Sequence, residues 1–275
     1  MLKDRERGAL IGLAIGDALG APVEFMSPGT FEPVTYYRSG GPHGLNAGEW
    51  TDDTSMALAL CDSIRLTGWD VKDQFDRYKS WYENGTYSVN GRCFDIGIQT
   101  REALHGYKSP DNQGNGCIMR TAPIAMWYGN QPDKAAEACK VTHTHENCVA
   151  ACRYLTMVLS RLMNGESREE ALGLDALINL KKMPRHIRGI AEGSYRLGNV
   201  TGGGWVVHSL EAALWAFWES TCFEDAVLRA VNLGGDADTT GAVCGALAGA
   251  YYEIPKHLIA GLARMDMIES AMSEP

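Results

Sequence analysis

Two acidic clusters, far apart in the chain, each stand directly before an apolar run. The first is Glu49-Trp50-Thr51-Asp52-Asp53-Thr54, and the second is Gly234-Gly235-Asp236-Ala237-Asp238-Thr239-Thr240-Gly241. A carboxylate beside a core is costly unless something compensates its charge. Asp and Thr suit helix N-termini, but one cap needs one carboxylate. Here Asp52 and Asp53 are adjacent, Asp236 and Asp238 are two apart, and Thr51 and Thr239 add hydroxyl oxygens. Neither cluster contains His or Cys, and an all-oxygen donor set suits Mg2+, Mn2+ or Ca2+ rather than zinc or copper. The pattern predicts two helix starts facing a pair of hard divalent cations, and metal-assisted chemistry on an anionic substrate.

Helical periodicity dominates the rest. Residues 5–20 carry Leu10, Leu13, Ala14 and Ala18 on one face, residues 52–67 carry Met56, Leu60 and Ile64, and residues 146–163 repeat Val149, Cys152, Leu155, Leu159 and Leu162. Similar faces recur near 71–83, 95–106, 119–128, 132–141, 167–180, 205–219, 223–232 and 238–252. The best strand candidate is the short run Val34-Thr35-Tyr36-Tyr37. The expected fold is all-α, compact and multi-helical. No Pro/Gly/Ser linker divides the chain, so residues 1–275 are expected to form one domain. Gly-rich breaks at 40–48, 112–116 and 198–204 read as loops serving a site. Gly241, Gly245 and Gly249 recur every fourth residue, which predicts close helix packing.

The net charge of −9, without a Lys/Arg block, argues against a nucleic-acid groove or a polybasic membrane surface. The apolar stretch Ala9–Ala21 is short, Gly-interrupted and contains Asp17, so no membrane span is expected. The charged N-terminus lacks a signal-peptide core, and eight scattered cysteines without a Cys-x-x-Cys pair fit buried thiols in a reducing cytoplasm.

Two further acids stand near helix ends: Glu24, just past the first helix, and Asp95, in Phe94-Asp95-Ile96-Gly97. The turns Asn115-Gly116-Cys117-Ile118-Met119-Arg120 and Thr201-Gly202-Gly203-Gly204-Trp205 would point backbone N–H groups at an anion, with Trp205 offering a flat face for adenine. Thr142-His143-Thr144-His145 is a third candidate.

Taken together, these motifs resemble the ADP-ribosylglycohydrolase family, in particular its bacterial dinitrogenase-reductase-activating branch. The resemblance runs from about Arg5 to Tyr252. It rests on Gly8-Ala9-Leu10-Ile11-Gly12, Gly16-Asp17-Ala18-Leu19-Gly20, Thr51-Asp52-Asp53-Thr54, Phe94-Asp95-Ile96-Gly97, Asn115-Gly116 with Arg120 and Pro123, Thr142-His143, and Gly235 to Gly241. It implies a dinuclear Mg2+ or Mn2+ centre with Thr51, Asp52, Asp53, Asp236, Asp238 and Thr239 as ligands. It also implies Glu24 and Asp95 as the catalytic acids, their individual roles left open. Substrate contacts are implied at Glu24, Asn115, Gly116, Cys117, Met119, His143, Gly202, Gly203, Gly204 and Trp205. The implied reaction is hydrolysis of the bond between ADP-ribose and arginine on a modified protein, with dinitrogenase reductase the suggested target and a monomer the expected state. O-linked ADP-ribose on serine, O-acetyl-ADP-ribose, and a non-catalytic ADP-ribose-binding role are the alternatives within this fold. A dimetal phosphoesterase is the alternative outside it.

Overall fold

The first helix carries a glycine every fourth residue, and so does one near the C-terminus. In the computed structural model, which describes residues 2–173 and 183–274, these two faces meet. Helix α1 (Asp4–Gly20) runs antiparallel to α12 (Ala237–Tyr251), with Gly8, Gly12 and Gly16 opposite Gly249, Gly245 and Gly241. A Cβ on Gly16 would lie 1.9 Å from the Gly241 carbonyl oxygen, and one on Gly245 would lie 2.0 Å from that of Gly12. The main chains touch with no side chain between them. The end of α1 is thereby fixed against the start of α12, where the second acidic cluster lies.

Between them run α2 (Asp52–Thr67), α3 (Val71–Asn84), α4 (Ile98–Leu104), α5 (Ala122–Tyr128), α6 (Pro132–Lys140), α7 (Glu146–Met163), α8 (Arg168–Ala171), α9 (Arg185–Ala191), α10 (Val206–Glu219) and α11 (Phe223–Val231). The short α13 (Lys256–Gly261) and α14 (Met265–Met272) follow α12. The α1/α12 pair is central: α2, α5, α7 and α11 pack on it, and α10 packs on α12. Helix α7 is apolar along nearly its whole inner face, from Cys148 to Leu162, all fully buried.

The fold is all-α, as the periodicity predicts. Among the described residues there is no strand; the candidate at 34–37 is coil, tied down through Val34 N–H to Asn232 Oδ1 at 2.7 Å and Tyr37 hydroxyl to the Leu258 carbonyl at 2.9 Å. The helix expected over 95–106 starts only at Ile98, because Asp95 sits at a φ of 59°, outside the helical region. That expected over 119–128 starts at Ala122, after a series of turns. Of the helix expected near 167–180, α8 accounts for the start, and residues 174–180 lie outside the described residues. Helices α9, α13 and α14 have no counterpart in the sequence pattern; at six to eight residues they span too few turns to show a face.

The seam predicts an inverted response to a helix-favouring substitution. Gly→Ala stabilises an unhindered helix position by roughly 1 kcal/mol, and Gly189→Ala in α9, with nothing within 4 Å of the added Cβ, is expected to do so. Gly245→Ala must instead push two backbones apart and is expected to cost about 3 kcal/mol. Urea unfolding of the two variants checks both signs.

Candidate metal centre and active site

The site is assembled on helix ends held by one buried acid. Asp17, near the end of α1, is fully buried and accepts four hydrogen bonds from the start of α2. Its Oδ1 takes the Thr51 N–H at 2.9 Å and the Thr51 hydroxyl at 3.0 Å, and its Oδ2 takes the Thr54 N–H at 3.0 Å and the Thr54 hydroxyl at 2.6 Å. Asp17 therefore caps α2 from outside, docking its N-terminus onto the central pair. Burial pushes its carboxyl up to about 6, against the pull of those four donors.

Docking α2 here places the two acidic clusters side by side. Thr51 Oγ1 lies 3.2 Å from Asp238 Oδ2 and 3.4 Å from Asp53 Oδ2, and Thr239 Oγ1 lies 3.4 Å from the same Asp53 oxygen. Asp52, Asp95 and Asp238 bring one carboxylate oxygen each within 4.8 Å of one another, and so do Glu24, Asp236 and Asp238. Asp238 belongs to both groups, an arrangement that suits two neighbouring cations with one shared ligand. Glu49 of the first cluster does not join them; it is turned outward and accepts from the Asn46 N–H at 2.8 Å.

The electrostatics call for a cation. Burial first, then Asp95 and Asp53, pushes the Asp52 carboxyl well above the usual range. Asp53 is raised by burial and then by Asp17 and Asp236, and Asp238 by burial and then by Glu24 and Asp53. Three buried carboxylate oxygens of this group, Asp53 Oδ1, Asp238 Oδ1 and Asp95 Oδ2, have no hydrogen-bond partner. Buried oxygens are rarely left unpaired, and hard divalent ions are what an all-oxygen set of this charge fits.

Opposite the clusters, the segment after α1 is clamped to the second cluster by Phe25 N–H to the Gly235 carbonyl at 2.6 Å and Gly235 N–H to the Met26 carbonyl at 2.7 Å. Gly235, at a φ of 67°, is also pressed against Gly202, where a Cβ would lie 1.8 Å from the carbonyl oxygen. This clamp holds Glu24. Asp95 arrives from the loop before α4. Between the two acids stands His43, whose Nε2 is 3.0 Å from Glu24 Oε2 and 3.1 Å from Asp95 Oδ1, with its ring 5.4 Å from that of Phe94. Its hydrogen bonds to Asp95 and Glu24 push the imidazole up to about 10, while burial pushes Glu24 up to about 7.

Glu24, Asp52, Asp95, Asp236, Asp238 and Thr239 line a cavity of about 390 Å³, of a size that takes a small organic ligand. Of the residues expected to contact substrate, Glu24, Asn115, Gly116, Met119, His143 and Gly204 line it. The loops 112–116 and 198–204 meet there, through Asn115 N–H to the Gly204 carbonyl at 3.1 Å and Val206 N–H to the Gln113 carbonyl at 2.9 Å. Asn115 also steadies the second cluster by donating to Asp236 Oδ2 at 3.0 Å. Thr51 and Asp53 lie beneath the cavity rather than in its wall.

The structure directs four expected contacts elsewhere. Gly202 packs under Gly234, and Gly203 is not in the wall. Trp205 leads into α10 with its ring between His186 and His208, at 5.1 and 4.7 Å, and its Nε1–H donates to Gln113 Oε1 at 2.8 Å; it presents no face to the cavity. Cys117 points into the core, where its Sγ meets those of Cys139 and Cys152 within 4.8 Å. Their linear spacing gave no hint of this thiol trio, and burial holds the Cys139 and Cys152 thiols well above their usual range.

Two residues escaped the sequence reading of the site. Asp17 has one available signal, a charge inside an otherwise apolar helix. His43 has only its place in the Gly-rich loop 40–48. A larger cavity of about 720 Å³ lies beside α7; there Asp133 is paired with Arg153 at 3.1 Å, and among the described residues no acids gather there into a group that could hold a metal ion.

The family model for ADP-ribosylglycohydrolase matches residues 1–274. The chain belongs to the ADP-ribosylglycohydrolase family. Among relatives in this family, a Pseudomonas putida protein named ADP-ribosylarginine hydrolase Tri1 is 41% identical over 91% of this chain and 71% of its own length. ADP-ribosyl-[dinitrogen reductase] glycohydrolase from Rhodospirillum rubrum is 32% identical over 96% and 91% of the two chains. A solved structure described as an ADP-ribosylglycohydrolase-related protein complex superposes with a TM-score of 0.87 at 39% identity, covering 98% of this chain and 96% of that one. Among the described residues, no helix of this family member is long and apolar enough to cross a membrane.

Any cation held by these carboxylates would compete with protons for them. Asp17, raised to about 6, and Glu24, raised to about 7, favour the metal-free fold when protonated. That contribution is complete below about pH 4, the ordinary carboxylate range, and is lost as pH climbs through 6 and 7. Mn2+ or Mg2+ at a hundredfold excess over its Kd is expected to raise the Tm by about 5–10 °C at pH 8, and by clearly less at pH 5.5. Asp238→Asn is expected to raise the metal-free Tm, by relieving like-charge repulsion, and to abolish the metal shift. Differential scanning calorimetry at the two pH values checks both.

Proposed function

We propose that this chain is a divalent-metal-dependent hydrolase that removes ADP-ribose from arginine side chains of modified proteins. The observation that carries the reading is the trio of unpaired buried oxygens, on Asp95 and Asp238 in the cavity wall and on Asp53 beneath it, in a member of this family. The names of the Pseudomonas putida and Serratia proteamaculans relatives, 41% and 37% identical, support arginine as the linkage. The Rhodospirillum rubrum relative makes dinitrogenase reductase one target to test.

Thr51, Asp52, Asp53, Asp236, Asp238 and Thr239 would hold two Mg2+ or Mn2+ ions. Those ions supply Lewis-acid chemistry, offsetting the buried carboxylates and polarising substrate oxygens. The remaining work belongs to side chains. As the bond from the anomeric carbon to the guanidine nitrogen stretches, positive charge develops on the ribose, and Asp95 and Glu24 present carboxylates to it. Water adds to the anomeric carbon, the guanidine nitrogen departs with the bonding pair, and the proton that water gives up ends on the departing guanidine. Glu24, a buried carboxyl in the cavity wall, is placed to exchange a proton during the step. His43 holds Glu24 and Asp95 at a fixed separation from each other. Gly114, Gly116 and Gly204 give the cavity wall bare main chain, which a diphosphate can approach closely.

With Mn2+ or Mg2+, the purified protein is expected to release ADP-ribose from an arginine-modified protein, and EDTA to stop it. Asp52→Ala and Asp238→Ala are expected to slow release on the order of a thousandfold. Full activity in EDTA would exclude the metal role, and equal or faster release from a serine-linked substrate would replace arginine with an O-linked bond.

A further inference from the structure

One wall of the cavity contains a chain of hydrogen bonds whose polarity is fixed at one end. Arg120 is 1% exposed and lies 4.6 Å above the Tyr78 ring. Its Nη2 donates to Thr142 Oγ1 at 2.6 Å, and Thr142 Oγ1 lies 2.7 Å from His143 Nδ1. Guanidinium has no acceptor, so the Thr142 oxygen must accept in the first bond. Thr142 is fully buried, and its hydroxyl proton needs an acceptor of its own. Nδ1 is the acceptor in reach. The proton of the His143 ring then sits on Nε2.

The surroundings hold this arrangement in place. The Thr142 carbonyl accepts from Gln99 Nε2 at 2.9 Å, and the His143 N–H donates to the Cys139 carbonyl at 2.8 Å. His143 is 2% exposed, and burial together with the nearby Arg120 charge pushes its imidazole down to about 3, so the ring is neutral. Its Nε2 has no protein partner among the described residues. It faces the bare turn, 3.5 Å and 3.6 Å from where side chains on Gly114 and Gly116 would begin.

We propose that Arg120 and Thr142 are positioning residues that lock His143 as a neutral Nε2–H donor, aimed at an acceptor oxygen of the substrate. In this role His143 binds and orients, and it moves no proton; proton exchange stays with the carboxylates across the cavity. The acceptor is a phosphate or ribose oxygen, an assignment that rests on the ADP-ribose reading, whereas the tautomer itself does not.

Nitrogen-15 NMR of the full-length protein with labelled histidine tests the lock without substrate. At pH 7 the His143 Nδ1 resonance is expected in the unprotonated range and Nε2 in the protonated range. Thr142→Val is expected to release this preference, giving mixed tautomers, and to weaken ADP-ribose binding about tenfold, as the loss of one buried hydrogen bond would. Thr142→Ser is expected to restore the tautomer and bring binding within about twofold of the parent. ADP shifting the Nε2 resonance when adenosine does not would identify a phosphate oxygen, and adenosine doing so would identify ribose. A protonated Nδ1 in the parent protein overturns the proposal, even where Thr142→Val fails to fold, and so does an unchanged tautomer in a folded Thr142→Val. A protein with the expected tautomer that releases no ADP-ribose would sink the hydrolase reading alone.

Discussion

Direct contact between the main chains of α1 and α12 is the constraint on which the rest of the molecule depends. Glycine at Gly8, Gly12, Gly16, Gly241, Gly245 and Gly249 removes every side chain from the seam. The gain is an interhelix separation set by backbone van der Waals contact rather than by the fit of flexible groups. From this pair the site follows in order. The end of α1 carries Asp17, Asp17 captures the N-terminus of α2, and α12 begins with Asp236 and Asp238. Three helix ends converge because a single pair was brought together first.

Convergence of this kind works against stability. Asp52, Asp53 and Asp238 share a small volume, and each is held above its ordinary titration range mainly by burial. Like charges so placed favour a protonated or cation-loaded state over a bare ionised one. Asp17 differs from them in kind. Both its oxygens are saturated by N–H and O–H donors, so it acts as part of the scaffold, while its neighbours keep unpaired oxygens.

Much of this was legible in the sequence. Long apolar periodicities predicted α1, α2, α7 and α12, and the glycine repeat on α12 predicted a close approach. The acidic clusters were legible because two carboxylates exceed what a single cap can use. Short helices were not, since the six residues of α13 make under two turns. Trp205 and Cys117 show a different limit. Each sits in or beside a glycine-rich turn, and which side of the turn faces the cavity depends on tertiary pairing between residues 112–116 and 198–206. His43 was invisible for a similar reason: both its partners, Glu24 and Asp95, come from other segments.

The backbone at Asp95 has a consequence of its own. Its φ of 59° lies in the left-handed region, which Asp and Asn enter more readily than other residues with a Cβ. Glycine stands nearby at Gly91 and Gly97, yet this position keeps a carboxylate. The loop before α4 therefore turns left-handed at a residue that also presents a carboxylate to the site. Asparagine, which tolerates the same twist, would copy the curvature of the loop but not its charge.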